Sequence, residues 1–407
     1  MKLGTPGFIG ARLREAREAR GLSAMALGEI LGLTRAAVSS YELAGKSPSP
    51  EVMDRISNVL QMPESYFRYQ IRPRKAGPIF YRSMKAATKS ARRRAEQRYA
   101  WLREIVSYLR GHVEFPAQRL PQLDIPNDPM LLSFDQVEAF ALQARRFYGV
   151  ADGPIPNVVS LLENNGVITT RDALGADTLD AFSEFDPVEE RLYMVLGTEN
   201  ASAVRSRFDA AHELGHALFH RAVDGVRIGR KAEYDLYEMQ AHRFAAAFLL
   251  PQEAFANEFY SATLESLQAI KVKWKVSIAM MIVRAQNLGF ISDETAKKLW
   301  INYSRRRWRG NEPLDDKLVP EQPRLLRRSF ELLVDKRIIA KDHITTHLPL
   351  GPVDIENLAG LDPGFISQRV PDLDPPIRVL NPGAAASKTL QPRSGSGQVI
   401  EFPLKKQ

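Results

Sequence analysis

The sequence contains no cysteine, so the protein cannot form a disulfide or a thiolate metal site, and any metal must be bound by histidine or carboxylate. It also lacks the uninterrupted apolar run of roughly 20 residues that a membrane-spanning helix needs. The N-terminus becomes charged at once and shows no apolar segment typical of a secretory signal. These absences favour a protein of the reducing cytoplasm that has no membrane partner.

The length and composition indicate a globular protein with more than one domain. The 407 residues are enough for two or three domains, and 44% hydrophobic and 26% charged residues are ordinary proportions. The charge is uneven, because residues 1–112 contain 21 lysines and arginines against 9 acidic residues, a net charge of +12. The remainder has 35 against 39, a net charge of −4. The basic first part predicts an anionic partner for that part alone.

Residues 8–67 show the pattern of a compact helical unit. Ser23 and Thr34 are suitable N-caps for two short helices, and Gly32 is a suitable residue at the end of the first of them. Pro50 stands where a further helix is expected to begin. Four or five short helices joined by tight turns predict an all-helical domain.

Hydrophobic periodicity in the rest of the chain predicts long helices and few strands. The first of these helices is expected to link two domains, and the strand over 191–197 is expected to lie beside the helix that carries the motif described next. The Pro-, Gly- and Ser-rich end of the chain is expected to be flexible. The predicted helices cover 84–113, 133–150, the start of 157–174, 204–220 and 235–250, and a strand follows the turn at Gly166.

The stretch HELGH at residues 212–216 places two histidines four residues apart. On an α-helix this spacing puts His212 and His216 on one face, so both can bind one ion, whereas Glu213 is rotated by about 100° toward the open side of the metal. Zinc held by three protein side chains keeps a fourth position for water and makes that water more acidic. A neighbouring carboxylate can take its proton and pass it to a leaving amine, so the spacing is typical of a zinc peptidase.

The motif alone also fits a helix that merely carries polar residues, because three fixed positions often match by chance. Its apolar surroundings favour a metal site, and Gly215, a poor helix former, fits a close approach by a substrate or a neighbouring strand. Glu238 on the next helix is the candidate third ligand; alternatively, it is an acid in a first turn, stabilised by the helix dipole. His220 is interpreted as a polar residue at the helix end rather than as a ligand.

The segments HELGHALFH and EMQAHRFAAAFLLP together resemble the ImmA/IrrE family of zinc metallopeptidases, and the resemblance covers residues 130–255. The family usually has Asn or Asp at the position of His242, so an imidazole would here orient a ligand histidine, or compete for the metal. The resemblance implies Zn²⁺ as cofactor, with His212, His216 and Glu238 as its ligands and Glu213 as general base.

The segment LSAMALGEILGLTRAAVSSYELAGKSPSPEVMDRISNVL is similar to the Xre/Cro-type helix-turn-helix of bacterial and phage repressors, over residues 8–67. The resemblance maps an internal salt bridge onto Arg17 and Glu42, and this chain departs from the family at Ala24, where Gln is frequent. The resemblance implies a double-stranded DNA operator as the partner.

The second helix of this motif, at 34–43, has short or forked side chains on the face that would enter a major groove. Arg35 is the expected base reader, because its guanidinium can bond a guanine through two donors. The alternative is a helical unit that only dimerises or packs on its neighbour, but the net charge of +12 favours DNA. The residues expected to contact DNA are Thr34, Arg35, Ala36, Ser39 and Ser40.

The sequence as a whole predicts a mainly α protein. The two domains are expected to have separate hydrophobic cores, so that removal of residues 1–70 would leave a folded, zinc-loaded peptidase. The predicted parts are an all-helical helix-turn-helix domain at 1–70, a basic helical linker at 71–129, an α+β zincin-like metallopeptidase domain at 130–299, a helical region at 300–372 and a flexible tail at 373–407.

The predicted function is that of a cytoplasmic DNA-binding transcriptional regulator with a zinc-dependent endopeptidase that cleaves a repressor or another regulatory protein. The expected partners are double-stranded operator DNA and the protein substrate, and a homodimer is compatible with the sequence. The alternative is a transcription factor whose metallopeptidase fold senses a metal or ligand without cutting. A purely structural role has nothing in the sequence to favour it.

Overall fold

A computed structural model describes residues 4–71, 80–81, 88–175, 180–199 and 202–367. The tail predicted at 373–407 and the first residues of the helix predicted over 84–113 lie outside this described part. Within it, no helix is both long and apolar enough to cross a membrane.

The N-terminal unit is all-helical, as predicted. Ser23 and Thr34 are the N-caps of two consecutive helices, and their side chains accept hydrogen bonds from the backbone N–H groups of Ala26 and Ala37. Gly32 adopts a left-handed conformation between them, with φ of 64°. The helices are α1 (Gly10–Ala19), α2 (Ala24–Leu31), α3 (Arg35–Glu42) and α4 (Pro50–Leu60), followed by a 3₁₀ turn at Glu64–Arg68.

The salt bridge expected between Arg17 and Glu42 is confirmed. Arg17 Nε donates to Glu42 Oε1 at 2.5 Å, and Arg17 Nη2 donates to Glu42 Oε2 at 3.0 Å. Both side chains are buried, so this bidentate pair ties α1 to the end of α3 and fixes the angle at which α3 is presented.

A four-stranded sheet forms the scaffold of the second part. The sheet order is β1-β3-β4-β2; β2 and β4 are parallel, and β3 is antiparallel to both of its neighbours. The strands predicted after Gly166 and over 191–197 are confirmed, whereas the strands at 80–81 and 181–186 were not predicted. The strands are β1 (Phe80–Tyr81), β2 (Ile168–Asp172), β3 (Ala181–Asp186) and β4 (Arg191–Gly197).

Thirteen further helices in the described residues surround this sheet, which confirms a mainly α protein with an α+β second part and a helical C-terminal region. They are α5 (Lys89–Arg110), α6 (Phe134–Phe147), α7 (Val158–Asn164), α8 (Ala203–Phe219), α9 (Gly225–Gly229), α10 (Lys231–Leu249), α11 (Gln252–Glu258), α12 (Leu264–Trp274), α13 (Ile278–Asn287), α14 (Asp293–Arg305), α15 (Leu325–Asp335), α16 (Lys341–His347) and α17 (Pro352–Ala359).

The sheet separates two hydrophobic cores. Successive side chains of a strand point to opposite faces, and along β4 Leu192 and Met194 enter one core while Tyr193 and Val195 enter the other. The first core is built with α6–α8 and α10–α14. The second contains α5, α15–α17 and also the helices of the N-terminal unit. The expectation of separate cores for the two predicted domains is therefore wrong, because α5 packs between the N-terminal helices and the sheet.

Candidate metal centre

The two histidines of the HELGH stretch lie on α8 and face the same point. Their Nε2 atoms are 3.0 Å apart, and both side chains are fully buried. Burial lowers the pKa of His212 well below its usual value, so its imidazole is neutral at neutral pH and has a lone pair to offer.

Glu238 on α10 reaches this point from the neighbouring helix. Its Oε1 lies 3.2 Å from His216 Nε2 and its Oε2 lies 3.5 Å from His212 Nε2. The helix begins at Lys231, so Glu238 lies in its third turn; the expectation of a first-turn position is wrong, and the helix dipole does not explain this residue. Burial alone would raise the pKa of Glu238, but the two neighbouring imidazoles hold it well below its usual value.

These three side chains fit a zinc ion. Ligand atoms at about 2.05 Å from a tetrahedral zinc are separated by about 3.3 Å. The two Nε2 atoms are 3.0 Å apart, and each lies 3.2–3.5 Å from one of the two oxygens of Glu238, which is close to that value. In the described residues these three form the one group of potential ligands that converges in this way. The half-buried carboxylate of Glu238 beside the neutral imidazole of His212 also favours a cation at this point.

Gly215 lets α8 and α10 approach closely enough to form this group. A Cβ at this position would lie 3.1 Å from Phe244 Cδ1 and 3.3 Å from Ala241 Cα, which is tighter than normal packing. The close neighbour is therefore a helix, and the expectation of a strand or a substrate at this point is wrong. A glycine is needed here because the ligands come from both helices.

Glu213 lies on the side of α8 that faces the sheet. The hydroxyl of Ser183, on β3, donates to Glu213 Oε2 at 2.6 Å, and both residues are buried. This bond fixes one carboxylate oxygen and is of the kind that an ionised carboxylate accepts. Ser183 was not predicted, because the segment AFSEF does not alternate apolar and polar residues and so has no clear strand pattern.

His220 is the C-cap residue of α8, as predicted, but its ring is fully buried. Its Nδ1 lies 3.0 Å from Nδ1 of His216, and its Nε2 lies 2.9 Å from Oε1 of Gln240 on α10. Burial and the neighbouring His216 lower the pKa of His220 to about 3. Gln240 was also not predicted as a site residue; a single amide side chain on an apolar face of the helix was the feature that could have indicated it.

His242 lies between the metal centre and a large cavity. Its ring centroid is 4.6 Å from that of His212 and 5.4 Å from that of Phe208. His242 and Phe208 also line a cavity of about 590 Å³ between α8, α10, α13 and α14. The other walls are mainly apolar or cationic, and they include Met239, Val283, Trp300, Trp308, Arg205 and Arg309.

In the N-terminal unit, the residues predicted to contact DNA share one helix. Thr34, Arg35 and Ala36 at the start of α3 are exposed, and Ser39 and Ser40 are half-buried. Val38 on the opposite side is buried in the core. The short helix is thus held by one side and presents its first turn to solvent.

Two family comparisons agree with this arrangement. Residues 9–66 match the family described as helix-turn-helix domain, and residues 163–286 match the peptidase family described as IrrE N-terminal-like domain. No curated protein matches the chain. The two resemblances found in the sequence are confirmed: the chain joins a helix-turn-helix domain to an IrrE-like domain of the M78 peptidase family.

Proposed function

We propose that this protein is a DNA-binding transcriptional regulator whose IrrE-like domain is a zinc endopeptidase that cleaves a repressor or another regulatory protein. The observation that carries the proposal is the convergence of three donors, His212, His216 and Glu238, on one point, with Glu213 next to His212 on the same helix. Two imidazoles and one carboxylate leave a fourth zinc position open, which is typical of catalytic rather than structural sites.

The proposed roles of the residues follow from their geometry. Zinc bound to the three donors would act as a Lewis acid and acidify a water molecule. Glu213 would be the general base that accepts a proton from the attacking water and passes it to the leaving amine. Ser183 keeps the carboxylate of Glu213 in place through its hydrogen bond of 2.6 Å.

The cavity beside His242 supports a protein substrate. It adjoins the metal centre through Phe208 and His242, and its volume of about 590 Å³ is of the size that binding pockets usually have. Its apolar walls suit a large apolar side chain of the substrate, whereas its charged lining is mixed and includes Arg309, Glu312 and Asp315. Because the cavity also draws on α14, residues from about 300 onward contribute to the proposed substrate site.

The same cavity gives the alternative function its basis. A small ligand bound against His242 would lie next to His212, whose ring centroid is 4.6 Å away. In that case the domain would sense a metal or ligand without cutting, and the helix-turn-helix domain would transmit the result to DNA.

Comparison of the proteomes of cells that express the wild type and Glu213→Gln tests the proposal. We expect one protein to be cleaved with the wild type only. A proteome without any such difference would contradict the peptidase function and favour the sensor.

We expect about one zinc ion per chain in the purified protein, measured by elemental analysis. Glu238→Ala removes one of three ligands, so zinc affinity should fall by more than the roughly 10–100-fold that is typical of residues around a ligand. Glu253→Ala, at an exposed carboxylate of α11, is the matched control and should keep its zinc. Unchanged affinity in Glu238→Ala would remove this residue from the site.

DNA binding is proposed to occur through the exposed first turn of α3. Arg35→Ala should weaken discrimination at one base pair by about 1–3 kcal/mol and keep most non-specific affinity, because lysines and arginines elsewhere neutralise phosphates. Gel shifts at several salt concentrations measure both quantities. Arg146→Ala, at an exposed arginine of α6, is the control, and equal sequence preference in all three proteins would contradict the role of Arg35.

A further inference from the structure

A chain of buried hydrogen bonds leads from His216 to the backbone before α6. His216 Nδ1 is 3.0 Å from His220 Nδ1, and His220 Nε2 is 2.9 Å from Gln240 Oε1. Gln240 Nε2 donates to the carbonyl oxygens of Pro129 and Leu132, at 2.8 and 3.0 Å. His216, His220 and Gln240 are each at most 1% exposed.

The two backbone carbonyl groups determine which atom donates in each hydrogen bond of this series. Carbonyl oxygens can only accept hydrogen bonds, so the amide nitrogen of Gln240 must face Pro129 and Leu132, and its oxygen must face His220. An amide oxygen also only accepts. The proton between His220 and Gln240 therefore lies on His220 Nε2.

The same reasoning continues to His216. A neutral imidazole has a single ring proton, so with Nε2 protonated, Nδ1 of His220 is an acceptor. The proton between the two rings must then lie on His216 Nδ1. In neutral His216 the lone pair is consequently on Nε2, the atom that lies 3.2 Å from Glu238 Oε1 and 3.0 Å from His212 Nε2.

We propose that His220 and Gln240 are positioning residues that hold the proton of His216 on Nδ1, so that Nε2 is always ready to bind a metal. The proposal deepens the function proposed above and rests on His216 being a ligand. Ligand histidines usually donate their second N–H to a carboxylate, a carbonyl or a water. In this protein the acceptor is a second histidine, whose own orientation is set by a glutamine on the helix that also provides Glu238.

His220 is not a fourth ligand in this arrangement. Both of its ring nitrogens take part in hydrogen bonds, Nδ1 with His216 and Nε2 with Gln240. His220 therefore contacts His216 at Nδ1 and not at Nε2, the atom that faces Glu238. The group of converging donors in the described residues accordingly contains His212, His216 and Glu238 without His220.

Zinc affinity, measured by competition with a chromophoric chelator, tests the proposal on the full-length protein. His220→Phe keeps an aromatic ring but removes the acceptor, and Gln240→Leu removes the group that orients His220. Both should weaken zinc binding by about 10–100-fold. The matched control is His343→Phe on α16, outside the site, which should bind zinc like the wild type.

Histidine ¹⁵N spectra of the metal-free wild type provide a second test that needs no variant of the chain itself. We expect a proton on Nδ1 of His216 and on Nε2 of His220, with the signals assigned in the wild type through their scalar couplings to the backbone. A proton on Nδ1 of His220, or none on Nδ1 of His216, would overturn the proposal even if His220→Phe fails to fold.

The outcomes also separate this proposal from the proposed metal site. If the wild type binds zinc, His216→Gln loses it and His220→Phe does not, the positioning role is wrong while the site stands. If the wild type binds no zinc, or His216→Gln binds it normally, the metal site itself is wrong.

Discussion

Glu213→Gln is expected to retain its metal and to lose proteolytic activity. The amide has nearly the same shape as the carboxylate, but it cannot accept a proton from water. A positioned general base contributes typically about 10²–10⁴-fold to the rate, and we expect a loss in this range. The measurement is the rate of cleavage of the protein identified by proteome comparison, together with the zinc content of both proteins.

The control for this experiment is Glu253→Gln, which makes the same chemical change at an exposed position of α11. It should cleave at the wild-type rate. Equal cleavage by Glu213→Gln and the wild type would exclude Glu213 as the base. Absence of cleavage by either protein would instead support the sensor that does not cut.

Removal of residues 1–70 is expected to unfold the remaining protein rather than to release a stable peptidase. Trp101 and Leu102 of α5 are fully buried in the core that the N-terminal helices share. The truncation would expose Trp101, which contacts Glu15 and Tyr66, and burying one large apolar side chain contributes about 1.5–3 kcal/mol. The loss affects the sheet as well, because Tyr193 of β4 lies in the same core.

Buried ion pairs increase this expected loss. Arg12 contacts Glu104 of α5 at 2.7 Å, and Arg20 binds Asp354 of α17 through two hydrogen bonds of 2.7 and 2.6 Å. Glu104 loses Arg12 in the truncated chain, whereas Asp354 keeps a hydrogen bond of 2.9 Å from Arg98. The lost contacts and the exposed core together remove a large part of the roughly 5–15 kcal/mol by which a folded domain is usually stable.

Thermal unfolding and size-exclusion chromatography of the truncated chain measure this effect. We expect no cooperative transition and a tendency to aggregate. A chain without residues 373–407, the tail that the sequence predicts to be flexible, is the control and should unfold like the full-length protein. A soluble truncated monomer with one zinc and a cooperative transition would contradict the dependence on the shared core.

Local signals in the sequence were sufficient for the helices of the N-terminal unit, for the helix that carries HELGH and for the two family resemblances. N-cap residues such as Ser23 and Thr34 bond to backbone groups within four residues, so the local sequence indicates where these helices begin. The spacing of His212 and His216 is equally local, because one turn of helix brings them together. The salt bridge of Arg17 and Glu42 was available through the family pattern alone.

The tertiary structure decided what depends on residues distant in the chain. Ser183 reaches Glu213 from a strand without a strong periodic signal, and Gln240 reaches His220 only because α10 crosses α8 at Gly215. The core shared by the two parts also could not be predicted from the sequence, because periodicity shows which face of α5 is buried but not which element covers it. Packing between distant elements determined the surroundings of the site and the dependence of its scaffold on the N-terminal helices.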